Sequence, residues 1–175
     1  MFKIGILLLI GSVVAAEPPG QASRSSTLAK QVTAALGEQR LEAIATQHPD
    51  ESDRFVAALF IPDTQMLVVS ARYASPLLLQ ARLAHRQYRD VYLDLQGSPV
   101  PNSSVFFQDM SADGLCASRD QTADILYDGS AAPTIFDGDW RKHSASEKEY
   151  EQQRAAADER YSRLLEILLA QLRGT

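Results

Sequence analysis

The run FVAALFIPDTQMLVVSARY, Phe55 to Tyr73, decides the architecture. Two apolar stretches rich in valine and aromatic residues, Phe55–Ile61 and Met66–Tyr73, flank Pro62-Asp63-Thr64-Gln65. A Pro-Asp turn between two such runs predicts a β-hairpin. The runs are apolar at nearly every position, which places both faces of the hairpin under cover in the middle of a sheet.

Upstream, Leu28, Val32, Ala35 and Leu36 recur at helical spacing. They predict a helix from Ser26, capped by Ser25 or Ser26 and weakened at Gly37. Leu41 to Ala45 reads as a second short helical turn that His48-Pro49 ends. Downstream, Ser75 as cap and Pro76 at the first helical position open another helix. It carries Leu77, Ala81, Ala84 and Tyr88 on one stripe, and Arg82, His85, Arg86 and Arg89 on another.

Val91–Leu95 and Val105–Gln108 read as strands around a proline-containing turn at Gly97–Asn102, and Asp124–Tyr127 as a further edge strand. Most of Met110 to Asp139 reads as irregular. The last element is a helix of about seven turns. Ser146 and Glu149 form its capping box, and Tyr150, Ala157, Tyr161, Leu164, Leu168 and Leu172 its apolar stripe. The fold class is therefore α+β: a mainly antiparallel sheet of about five strands with helices packed on it, in one domain over residues 26–175.

The first residues carry an address. Lys3 precedes an apolar run from Ile4 to Val14, which ends in Ala15-Ala16 and then Glu17-Pro18-Pro19-Gly20. A bilayer-spanning helix takes about 20 apolar residues, so this layout predicts a cleavable signal peptide over residues 1–16 rather than an anchor. Residues 17–25 read as a flexible leader, and the location as periplasmic or extracellular. The formal charge of −5, one unit more acidic without Lys3, gives no ground for nucleic-acid binding. Cys116 is the only cysteine, so no disulfide forms within the chain.

The layout of Phe55–Leu95, with Leu67-Val68-Val69-Ser70 leading into Ser75, a helix and Val91-Tyr92-Leu93, is similar to flavin-binding split barrels of the pyridoxamine-phosphate-oxidase type. That resemblance implies a flavin phosphate held at a strand-to-helix junction, with Arg72 and Ser75 in the matching positions. The element order also looks like roadblock and profilin-like sheets, which act mostly as interaction platforms.

Charge is segregated along the chain. Arg72 to Arg89 holds four arginines, one histidine and no acid, whereas Asp109 to Asp139 holds seven aspartates against Arg119 alone. Such blocks either form two solvated faces or give an anion-binding face on which guanidinium forks match carboxylate or phosphate. On the second reading Arg72, Ser75, Arg82, Arg86 and Arg89 are the candidate ligand-binding residues, and the partner is an anionic ligand or an envelope protein.

The acidic stretch has no glutamate to close a calcium loop, and His48, His85 and His143 form no ligand-spaced pair, so no metal is expected. Ser70 and Ser75 lie in no Gly-x-Ser-x-Gly elbow and Cys116 has no recognisable partner, so no catalytic residue is assigned. No sequence motif demands a cofactor; flavin enters only through the resemblance. Trp140 reads as an anchor for the Phe136–Arg141 segment more than as a ligand-stacking ring.

Overall fold

The computed structural model describes residues 23–52, 54–73, 105–115, 122–130 and 132–174. Its strands are β1 (Ala43–Gln47), β2 (Arg54–Ile61), β3 (Met66–Tyr73), β4 (Val105–Asp109), β5 (Asp124–Tyr127) and β6 (Thr134–Phe136). They form one antiparallel sheet in the order β1-β2-β3-β4-β5-β6. The helices are α1 (Arg24–Glu38), α2 (Trp140–His143) and α3 (Glu147–Gly174). The α+β class holds, with six strands where about five are expected.

The hairpin is where its sequence puts it. β2 and β3 pair from Arg54↔Tyr73 to Ile61↔Met66, and both are interior strands. Its four-residue loop closes with Gln65 in the left-handed region at φ 53° and with Gln65 N–H donating to the Pro62 carbonyl at 3.2 Å.

Alternation along the strands separates two faces. Ile44, Ala58, Val69, Phe107 and Leu126 run across the sheet in register on one face. They share a core with Ala29, Val32 and Leu36 of α1 and with Tyr161, Leu164, Leu165, Leu168 and Leu172 of α3. Phe107 stacks on Tyr161 at 4.8 Å between ring centroids. The stripe read in the sequence of α3 is thus the seam that covers this face. Its N-terminus is also as read: Glu149 N–H donates to Ser146 Oγ at 3.2 Å, and the Glu149 carboxylate reaches back to the Ala145 amide.

Three boundaries differ from the sequence reading. α1 begins at Arg24, inside the expected leader, and its cap is Ser23, whose Oγ accepts from the Ser26 amide at 3.2 Å. Ser25 is drawn instead into contacts with α3 and with the segment after β4. The expected helical turn over Leu41–Ala45 is overturned, since Ala43–Gln47 is the edge strand β1. Arg40 at φ 55° ends the helical path, and pairing with Leu59–Phe55 outweighs the weak strand propensity of alanine. β6 lies in the stretch expected to be irregular.

No helix among the described residues is long and apolar enough to cross a membrane. The signal-peptide reading, the Ser75–Arg89 helix, the Val91–Leu95 strand, the Gly97–Asn102 turn and Cys116 lie outside the described residues.

Candidate functional site

The face of the sheet turned away from α1 and α3 has small side chains where β1, β2 and β3 meet, at Ala45, Ala57 and Ser70. In register across it run Ala45, Ala57, Ser70, Phe106 and Tyr127. Beside them run Ala43, Leu59, Val68, Gln108, Ile125 and Ile135. Ala43, Ala45, Phe55, Ala57 and Val68 form a second buried apolar cluster, against which Leu59, Met66 and Phe106 pack in part. The row therefore starts as a floor of alanines and ends in half-buried aromatic side chains at Phe106 and Tyr127.

Ser70 lies in the middle of this floor. It is 1% exposed, and its Oγ has no hydrogen-bond partner among the described residues. Leaving a hydroxyl in that state costs about 1–3 kcal/mol, so the position asks for an explanation beyond packing. Two residues along the same strand, on the same face, β3 carries position 72, paired in register with Phe55. Of the five sequence-predicted binding residues, only Arg72 lies among the described residues. Ser75, Arg82, Arg86 and Arg89 fall outside them. Position 72 lies one pleat further along the backbone of β3, about 7 Å from Ser70.

A second polar centre sits on the helix-covered side, at the end of β4. Asp109 is fully buried there. Its Oδ1 accepts from the Asp113 amide at 3.1 Å, and its Oδ2 from the Gly114 amide and the Tyr161 hydroxyl, both at 3.0 Å. Burial pushes this carboxyl up from 3.8 to about 6, against the lowering effect of those three donors. Burial, then the neighbouring Asp109 charge, raises the Tyr161 phenol well above its ordinary value. Nearby, Asp124 accepts from the Met110 amide at 2.9 Å, and Ser25 Oγ accepts from the Leu115 amide at 3.1 Å while donating to Asp158. Asp109 thus ties the amides of residues 113 and 114 to Tyr161 of α3, and Ser25 ties Leu115 to α1.

The third centre is the corner before α3. His143 lies 3.0 Å from Asp137, and their side chains are 19% and 20% exposed. Burial works against the charge on Asp137, but the Asp139 amide and His143 outweigh it and hold the carboxyl at about 2. Gly138, at φ 76°, turns the chain so that its amide meets the Tyr150 hydroxyl at 2.9 Å. Trp140 packs in part against the main core, with the Arg141 guanidinium 4.7 Å from its ring centroid, which is the anchoring role read from its neighbours. Among the described residues no group of three His, Cys, Asp or Glu side chains could hold a metal ion.

Sequence reading missed these centres to different degrees. Ser70 had a visible signal, as the one polar residue in Met66–Ala71. The Asp109–Tyr161 bond spans 52 residues and left no local trace. His143 reads as isolated along the chain until the Gly138 turn folds it onto Asp137. No protein-family model, no curated protein and no solved structure matches this chain.

Proposed function

We propose that this protein is an exported, non-enzymatic binding module that takes an anionic ligand on the sheet face carrying Ser70 and Arg72. The observation that carries the reading is the buried Ser70 hydroxyl, without a partner among the described residues, two positions before Arg72 on the same strand. A ligand oxyanion would give that hydroxyl the acceptor it lacks and give the guanidinium a counter-charge, in surroundings where a charge-assisted hydrogen bond is stronger than in water. The sequence supports extending the recognition set to Ser75, Arg82, Arg86 and Arg89, and supports export through the Lys3–Ala16 leader. The Ala45–Ala57–Ser70 floor favours one second reading, in which the ligand is a flat phosphorylated ring such as flavin.

Protein purified from its own envelope is the material to test. Native mass spectrometry and an absorption spectrum report a retained ligand, and N-terminal sequencing reports cleavage after Ala16. Titration with flavin mononucleotide and with inorganic phosphate should show binding that weakens with salt and falls at least tenfold in Arg72→Gln. A protein that carries no ligand, and whose quadruple change of Arg72, Arg82, Arg86 and Arg89 to glutamine alters binding of neither probe, defeats the proposal. Visible flavin absorbance would favour the second reading over the first.

A further inference from the structure

The two edges of the sheet are guarded differently. β6 is three residues long and lies between Pro133 and Asp137, so it offers a further strand little to pair with. β1 is five residues long, Ala43-Ile44-Ala45-Thr46-Gln47, with no charge, proline or glycine among them. It pairs with β2 on one side, and among the described residues no strand takes up the other.

The ladder shows which backbone groups face that open side. The Phe60 amide donates to the Glu42 carbonyl at 2.8 Å, and the His48 amide to the Arg54 carbonyl at 2.9 Å. Bonding alternates along an antiparallel pair, so Glu42, Ile44, Thr46 and His48 turn their backbone groups toward β2, and Ala43, Ala45 and Gln47 turn theirs outward. Ala43 and Ala45 belong to the apolar cluster on the face away from the helices, so at the edge itself they present backbone alone. At its C-terminal end the edge borders a groove of about 530 Å³, lined by Thr46, Gln47 and Pro49 and by Glu166, Ile167 and Ala170 of α3.

The charges that flank β1 select its own copy as the strand to be added. Set antiparallel with Ala45 opposite Ala45, two copies pair Ala43 with Gln47 and Ile44 with Thr46. The same register puts Glu42 opposite His48 and brings Arg40 near Asp50, and symmetry repeats each pair. Outward hydrogen bonding allows shifts of two residues only. One such shift sets Arg40 against His48, two bases, and the other sets Glu42 against Asp50, two acids.

We propose that the protein pairs with a second copy of itself through β1, antiparallel about a two-fold axis at Ala45, so that two six-stranded sheets join into one. This interface is a sheet edge and includes none of the residues assigned to the anionic ligand, so either reading can fail without the other.

Sedimentation equilibrium of the full chain over a dilution series should follow a monomer–dimer equilibrium. Amide exchange read by NMR should slow at Ala43, Ala45 and Gln47 as concentration rises, whereas Ile44 and Thr46, already bonded to β2, should not respond. Ala45→Pro removes a donor that β2 does not use, so it should keep the urea midpoint close to that of the natural protein and raise the dimer Kd at least about tenfold. Arg40→Asp, at an exposed position, should raise Kd several-fold, and Asp50→Arg in the same chain should bring it back. A chain that stays monomeric at every concentration overturns the proposal. So does exchange at Ala43, Ala45 and Gln47 that ignores concentration, or a folded Ala45→Pro that dimerises unchanged. Failure of the Arg40 and Asp50 changes to compensate overturns the register. The first two readings need no variant to fold.

Discussion

The two faces of the sheet exclude water by different means. Under α1 and α3, Phe107, Phe136, Tyr150, Tyr161 and the leucines of α3 fill space with large interlocking side chains. On the opposite face Ala45, Ala57 and Ser70 stand beside Ile44, Ala58 and Val69 of the helix-covered face. The first arrangement stores most of the folding free energy, because burial scales with apolar area. The second stores less of it and holds a hydroxyl with no partner among the described residues. If stability and recognition are divided this way, substitutions on the two faces should separate into those that unfold the protein and those that change what it binds.

The largest effect belongs to the helix-covered face. Leu168 is fully buried in the seam between α3 and the sheet. Leu168→Ala removes its contacts and leaves a cavity, and should cost about 3–5 kcal/mol in urea denaturation. A loss below about 1 kcal/mol would show that this face is not the main store of stability.

Gly114→Ala should follow closely, at about 3–4 kcal/mol, since it adds left-handed strain to a clash with the first turn of α1. The measurement is again the urea midpoint, and Gly37→Ala is its control, because nothing lies within 4 Å of the position a Cβ would take there. Gly37→Ala should be neutral or should stabilise α1 by up to about 1 kcal/mol. Equal losses in the two variants would remove the close approach of the loop as the cause.

Next comes the pH dependence of global stability. The Asp109 carboxyl is raised to about 6 in the folded protein, so its contribution is greatest below pH 4 and is lost as pH rises past 6. That change amounts to about 2–3 kcal/mol. Asp137 runs the other way: held at about 2, it supports the fold above pH 4 and stops doing so as pH falls toward 2. Denaturant midpoints measured from pH 2 to pH 8 should therefore pass through a maximum on the acid side of neutrality. Asp109→Asn should flatten the limb above pH 4 and leave the limb below it.

How much of this was legible in the sequence depends on the range of the interactions involved. The Phe55–Tyr73 hairpin and the α3 capping box are local devices, written in residues a few positions apart, and both are in place. β1 was misread because Ala43-Ile44-Ala45 has little strand character of its own; its partner β2 makes it a strand. Asp109 is the extreme case. Its donors lie four, five and 52 residues away, and only the near ones look like an ordinary turn. For the candidate site, charge along the sequence singles out Arg72, whereas the burial of Ser70 on the face away from the helices is visible only once the strand register is known.

The smallest effect is the most discriminating. Ser70 and Ser162 are both buried, and in both the hydroxyl lacks a partner among the described residues, but Ser70 lies on the face away from the helices and Ser162 in α3. Replacing either by alanine removes a polar atom that folding left unsatisfied, so each should leave stability unchanged or raise it by up to about 1 kcal/mol. Ser162→Ala also gains helix propensity, and should be the more stabilising of the two. Binding then tells them apart. Ser70→Ala should weaken capture of the anionic probe that Arg72→Gln weakens, and Ser162→Ala should not. Loss of the probe in Ser70→Ala alone would attribute the hydroxyl to a ligand, and if both alanine variants bind as the natural protein does, the division between the faces is one of packing alone.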